Sequence, residues 1–219
     1  MKKEKKKSFY ISICILVAFL LWTAVVRFVD LEAIGPRGST VGLATVNRYI
    51  HNFTGVNMTL YTITDWLGIL PILFVIGFGI LGLVQWIKRG NILKVDYDIL
   101  TLGGFYIVVI AVYLFFEMFV VNYRPVLING YLEASYPSST TMLVMCVMPT
   151  GIMLFSNRIK NKALRNIIAI TIIAFIAFMV IGRLLSGVHW ITDIVGGALL
   201  STGLVLLYRA IIDFKYIKR

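Results

Sequence analysis

Arg183-Leu-Leu-Ser-Gly-Val-His189-Trp-Ile-Thr-Asp193 joins two apolar runs, 164–182 and 191–212, and sets an arginine, a histidine and an aspartate at their junction. Each run is close to the ~20 residues an α-helix needs to cross a bilayer core. The chain has two histidines, and His189 stands four residues before Asp193, the one carboxylate inside the following run. Residues four apart on a helix share a face, so Asp193 can hold one imidazole nitrogen and leave the other free. A histidine held in this way suits nucleophilic or acid–base work. Arg183 adds a guanidinium fork of the kind that grips anionic phosphate.

Outward from this junction the chain repeats the same apolar texture. Of 219 residues, 59% are hydrophobic and only 14% charged, with a mean hydropathy of +0.90. That composition excludes an ordinary soluble domain. The chain reads as all-α, a polytopic membrane protein with a single membrane domain over 1–219. Six transmembrane helices are expected at 8–26, 66–87, 99–121, 139–156, 164–182 and 191–212. Pro149 and Gly151 predict a kink in the fourth. The first follows a basic stretch, Lys2 to Lys7, as a signal peptide would. No small-residue cleavage site follows it, so it reads as a retained span ended by Arg27 and Asp30. Cys14 and Cys146 fall inside apolar runs and read as packing residues. Gly77, Gly79 and Gly82 predict close helix packing within one protomer.

The net charge of +11 is distributed by topology. Basic residues cluster in the tail 1–7, after the second span (Lys88, Arg89, Lys94), after the fourth (Arg158, Lys160, Lys162, Arg165) and at the end (Arg209, Lys215, Lys218, Arg219). Arg27, Arg37, Arg48, Arg124 and Arg183 alone fall on the other side. The positive-inside rule then places 1–7 as a basic cytoplasmic tail and both termini in the cytoplasm. The charge reflects topology and anionic-lipid contact rather than a nucleic-acid partner. The connection 27–65 is expected on the outer face. Its pattern Val41, Leu43, Ala44, Val46, Tyr49, Ile50, Phe53 predicts an outer amphipathic helix, capped by Ser39 or Thr40, lying over the site. His51 in this stretch reads as an interfacial histidine.

Three segments are expected to converge at that face within 117–193: Glu117 to Pro125 ending span three, Ala134 to Thr141 opening span four, and Arg183 to Asp193. Arginine and histidine at a membrane boundary are costly unless paired or functional. Arg124 and Arg183 can grip phosphate oxygens. The Pro137-Ser138-Ser139 turn opens a helix and offers hydroxyls and N–H groups at its positive end. His189 can attack phosphorus while Asp193 fixes its tautomer. No His, Cys or Glu cluster has metal-ligand spacing, so the reaction is expected to need neither metal nor other cofactor.

Taken in order, these segments resemble the type 2 phosphatidic acid phosphatase (PAP2) superfamily of membrane lipid phosphatases. That family's pattern is Lys-x6-Arg-Pro, then Pro-Ser-Gly-His, then Ser-Arg-x5-His-x3-Asp. The resemblance implies a six-helix PAP2-like bundle and a lipid phosphate substrate among the membrane lipids. It also implies His189 as the nucleophile that forms a phosphohistidine, with Asp193 orienting it. Arg124, Arg183, Ser138 and the Ser139 backbone would hold the phosphate, with Thr140 beside them.

The chain departs from the pattern at Glu117 for lysine, at Ser139 and Thr140 for the second-motif glycine and histidine, and at Gly182 for serine. Seven residues before Arg124, Glu117 is expected about 10.5 Å down the same helical face. There it would pair with an arginine or a tyrosine phenol, and Glu117 and Tyr123 stand as modulators of the site. Thr140 replaces the family's general acid, whose loss costs about 10²–10⁴-fold with a poor leaving group. A phosphate leaving from a diphosphate needs little protonation. The reading therefore favours a lipid diphosphate such as undecaprenyl diphosphate over phosphatidate or phosphatidylglycerophosphate. Glu133, Glu117 or a water could otherwise supply the proton. A non-catalytic protein that binds or moves anionic lipids is the alternative.

Overall fold

A computed structural model describes the backbone of residues 2–215 and the side chains of residues 7–214. The basic tail 1–7, Lys7 excepted, and Lys215, Lys218 and Arg219 lie outside the described side chains. The helices are α1 (Lys2–Phe28), α2 (Ala44–Thr54), α3 (Met58–Leu67), α4 (Ile69–Arg89), α5 (Tyr97–Met118), α6 (Ser139–Arg158), α7 (Lys162–Leu185) and α8 (Ile191–Lys215). Among the described residues, six stretches are long and apolar enough to cross a membrane: Lys7–Phe28, Met58–Arg89, Tyr97–Met118, Ser139–Arg158, Lys162–Leu185 and Ile191–Phe214. The chain is a multi-pass membrane protein. Its leucines, isoleucines and valines stay exposed along α1, α4, α5 and α7, as lipid-facing surfaces require.

Local chemistry sets several helix starts. Asn57 accepts from Leu60 N at 2.9 Å, Asn161 from Leu164 N at 3.1 Å, and Ser138 from Thr141 N at 3.4 Å, each satisfying a donor the helix leaves open. The amphipathic helix forms, but neither Ser39 nor Thr40 caps it. α2 starts at Ala44, and its cap comes from the bend just after α1: Asp30 Oδ2 accepts from Thr45 N at 2.8 Å and Asp30 O from Ala44 N at 2.9 Å. The chain reaches that position through a reversal at Leu43, whose φ is 49°.

The second span also differs from its expected start at 66. α3 and α4 join at Gly68, whose right-handed helical backbone lets the span begin at Met58. Polar residues of α3 (Thr62, Thr64, Asp65) mask this extension in the sequence. α5 ends at Met118 rather than 121, which takes Arg124 off the helix. α6 stays one helix through Pro149, where Thr150 Oγ1 donates to Val147 O and lies within bonding distance of Cys146 O. Cys146 is buried and Cys14 faces outward.

α8 is the central post. α1 packs along it, and α6 packs against both α7 and α8. At the centre of the core Phe19 stacks on Tyr136 and Phe116 meets both edge-on, and Tyr136 Oη meets Thr23 Oγ1 at 2.7 Å. At the end away from the site, Arg158 binds Asp98 at 2.7 and 3.1 Å and Arg89 binds Asp96 at 2.8 Å. Of the three α4 glycines, one makes the close approach within the protomer that the sequence suggested. Gly77 and Gly79 face open space, and Gly82 alone approaches α5, at Ile99. An apolar gap between α4 and α5 results.

Candidate active site

The connections 29–57, 119–138 and 186–190 and the first turns of α3, α6 and α8 meet at one end of the bundle. His189 and Asp193 are buried there, 3% and 0% exposed. The Ser186–Trp190 turn is pinned from above: Asn57 N donates to Ser186 O at 2.9 Å, and His51 Nε2 lies 3.1 Å from Gly187 O. The His51 ring lies tilted against Trp190, with 5.3 Å between ring centres. Asn47, fully buried on α2, donates to Thr192 Oγ1 at 3.0 Å and accepts from Thr192 N at 3.3 Å. The amphipathic helix thus roofs the histidine turn.

His189 and Asp193 do not touch directly; Nδ1 and Oδ2 are 3.8 Å apart. Ser135 Oγ lies between them, 3.0 Å from Nδ1 and 2.5 Å from Oδ2. Trp190 N donates to the same Oδ2 at 2.9 Å. A carboxylate only accepts, so the single Ser135 proton goes to Asp193, and the Ser135 oxygen accepts from Nδ1–H. The Nε2 of His189 then carries its lone pair, is buried, and has no hydrogen-bond partner. Burial holds the His189 pKa well below its ordinary value, and the nearby charges of Arg124 and Arg183 push the same way.

Arg183 is 2% exposed and firmly held. Nη2 donates to Thr140 Oγ1 at 2.6 Å and to Asp65 Oδ1 at 3.1 Å. Nη1 donates to Tyr61 O and Thr64 Oγ1, both at 3.4 Å. Its guanidinium lies 4.8 Å from the centre of the Tyr61 ring, and that of Arg124 lies 6.0 Å from the same ring. Arg124 Nε forms an ion pair with Glu133 Oε2 at 3.1 Å, off the angle a hydrogen bond needs. Arg124 Nε and Nη1 and Arg183 Nε therefore remain open donors among the described residues.

The other expected residues take these places. Ser138 Oγ caps α6, and Ser138 N donates to Asp193 O at 3.0 Å. Ser139 and Thr140 form the first turn of α6, where main-chain donors point beyond the helix. Tyr123 contributes its carbonyl, which accepts from Trp190 Nε1 at 2.7 Å. Glu117 is not on one helical face with Arg124, because α5 stops at Met118 and the intervening chain is not helical. Glu117 instead interacts with the Tyr113 phenol one turn earlier and lines a narrow cleft with Ser135 and Ser139. Ser135, Tyr61, Thr64 and Asp65 had no assigned role in the sequence. The Tyr61-x3-Asp65 spacing on one helix face was the available signal for Tyr61 and Asp65. Among the described residues no group of three or more His, Cys, Asp or Glu side chains could hold a metal ion.

An apolar cavity of about 440 Å³ opens beside this cluster, lined by Ile72, Val75, Tyr106, Val109 and Leu143 and reaching Ser139 and Thr140. A second, of about 330 Å³, continues between α4 and α5 past Val75 and Tyr106 to Trp86.

The family pattern of the PAP2 superfamily matches residues 99–216. The fold is similar to a crystal structure described as the first transmembrane PAP2 type phosphatidylglycerolphosphate phosphatase from Bacillus subtilis. The TM-score is 0.65 at 19% sequence identity, over 96% of this chain and 98% of that one. No curated protein sequence matches the chain.

Proposed function

The chain belongs to the PAP2 superfamily, and on that premise we propose that it is a metal-independent lipid phosphatase or diphosphatase working at the outer membrane face through a phosphohistidine. The observation that carries this reading is the buried, unpartnered Nε2 of His189 at the end of the Asp193–Ser135–His189 chain. Nε2 attacks phosphorus, a P–N bond forms, and the P–O bond to the leaving group breaks. Arg124 and Arg183 hold the phosphoryl oxygens, aided by the first turn of α6 with Ser138, Ser139 and Thr140. Water then cleaves the P–N bond and releases phosphate. The apolar cavity beside Thr140 suits the hydrocarbon chain of the substrate. The side assignment rests on the basic clusters, which place both termini in the cytoplasm.

Thr140 bears on the substrate. Its hydroxyl receives the Arg183 N–H, so this position supplies no imidazole acid. A leaving group that needs no proton is therefore favoured, which points to a polyprenyl diphosphate such as undecaprenyl diphosphate. Phosphatidate and phosphatidylglycerophosphate, the latter named for the Bacillus subtilis neighbour, are the alternative substrates. The same feature supports a second reading, a protein that binds anionic lipid without turnover. Phosphate release by the purified protein from polyprenyl diphosphate, phosphatidate and phosphatidylglycerophosphate, against His189→Ala, tests both. Release from the diphosphate fastest, and none from the variant, is expected. Release no greater than that of the variant on every substrate would overturn the enzyme.

A further inference from the structure

Each of the two arginines already holds a carboxylate. Asp65 Oδ1 is 3.1 Å from Arg183 Nη2, and Glu133 Oε2 is 3.1 Å from Arg124 Nε. The burial of the partners is opposite. The arginine side chains are 2% and 10% exposed, whereas Asp65 is 57% and Glu133 41% exposed. The carboxylates come from unrelated elements, one from α3 and the other from the strand-like connection ahead of α6. One ring, Tyr61, lies within reach of both guanidiniums.

Two cations held on one ring in a poorly solvated site repel each other, and each desolvated charge needs a counter-charge. Arg183 shows how its counter-charge is arranged. Nη1 is tied to Tyr61 O and Thr64, and one Nη2 proton to buried Thr140. Asp65 is the single partner that stands mostly in solvent. Nε and Nη2 form one edge of the guanidinium, the edge an oxyanion grips with two oxygens. Nε is open, and Nη2 is closed by Asp65. Glu133 stands over Nε of Arg124 as an ion pair without a hydrogen bond, so that donor too faces a displaceable carboxylate.

We propose that Asp65 and Glu133 are resident counter-anions of this site, which hold the arginines while it is empty and turn out to solvent when a phosphate group enters. The proposal rests on the reading that the site takes phosphate. Each carboxylate stands largely in solvent and regains its hydration when it turns out, while the incoming dianion takes over its charge on the arginine, so the exchange costs little. The same carboxylates return when phosphate leaves, which weakens the hold on the product. They are positioning residues and take no part in proton transfer.

The test is binding of inorganic phosphate to the purified full-length protein, measured by calorimetry, for wild type, Asp65→Asn, Glu133→Gln and the double variant. Tightening of Kd by about two- to fivefold in each single variant, and by more in the double, is expected, the size of a pair whose carboxylate faces solvent. Unchanged or weaker binding in either single variant would overturn the proposal. Wild-type protein that binds no phosphate would overturn the phosphate reading itself, which separates the two failures. Should an amide variant not fold, Asp65→Ser or Glu133→Ser removes the same charge with less bulk.

Discussion

His189 Nδ1 and Asp193 Oδ2 stand 3.8 Å apart, and the Ser135 hydroxyl bridges them at 3.0 and 2.5 Å. The aspartate therefore acts on the imidazole through a serine proton. Ser135→Ala should lower kcat about 10- to 100-fold with little change in KM, because the ring loses its orientation while Arg124 and Arg183 keep their places. Steady-state kinetics on the preferred lipid decides it; an unaltered kcat would mean that the ring keeps its orientation without the serine bridge.

The buried imidazole should resist protonation. Burial, with Arg124 and Arg183, lowers the His189 pKa below the ordinary value of about 6.5. The folded chain then binds fewer protons than the unfolded one below that pH. The stability from this site is present above pH 6.5 and is lost as pH falls toward the folded value. His51→Gln leaves His189 as the one histidine, and NMR of labelled histidine should show a neutral ring through pH 6.5. A midpoint at or above 6.5 would contradict the geometry.

Arg183 binds four partners through Nη1 and Nη2 and holds its guanidinium over the Tyr61 ring, with Nε left open. A lysine keeps the charge but loses the plane and the fork. Arg183→Lys should reduce kcat/KM about 100-fold, or close to 3 kcal/mol of transition-state stabilisation. A loss under threefold would show that charge alone is enough.

Gly187 has a φ of 67°, and a Cβ there would lie 1.8 Å from Gly55 O. Both the backbone and the neighbouring chain exclude a side chain. Gly187→Ala should destabilise the protein by about 2 kcal/mol or more and lift the α2–α3 connection off the histidine turn. Thermal unfolding in detergent, with proteolysis near Gly55, reads both effects. An unchanged Tm would mean that the two loops part easily.

The spans, the roof helix and the Arg124, Arg183, His189, Asp193 set were legible because each carries a local mark, an apolar run, a 3.6-residue stripe or a fixed spacing. What stayed hidden depends on contacts between distant segments. Asp30 caps α2 from the bend after α1, and nothing in Ser39-Thr40 says that they will not. Thr62, Thr64 and Asp65 read as polar loop and turn out to extend the second span, because Thr64 and Asp65 face Arg183. Ser135 looked like any serine before a turn until the fold set it between two residues of α8's first turn and the loop before it.

The first span meets the last. Trp22 donates to Thr192 O at 3.1 Å and Thr23 meets Tyr136, which lies against Gly196 of α8. A ribosome delivers these partners at opposite times, so α1 waits in the bilayer through the insertion of the four intervening spans. The bundle closes like a ring whose clasp is made last. Until α8 arrives there is no Asp193 and no wall behind Tyr136, and a half-made chain carries its arginines without a working site.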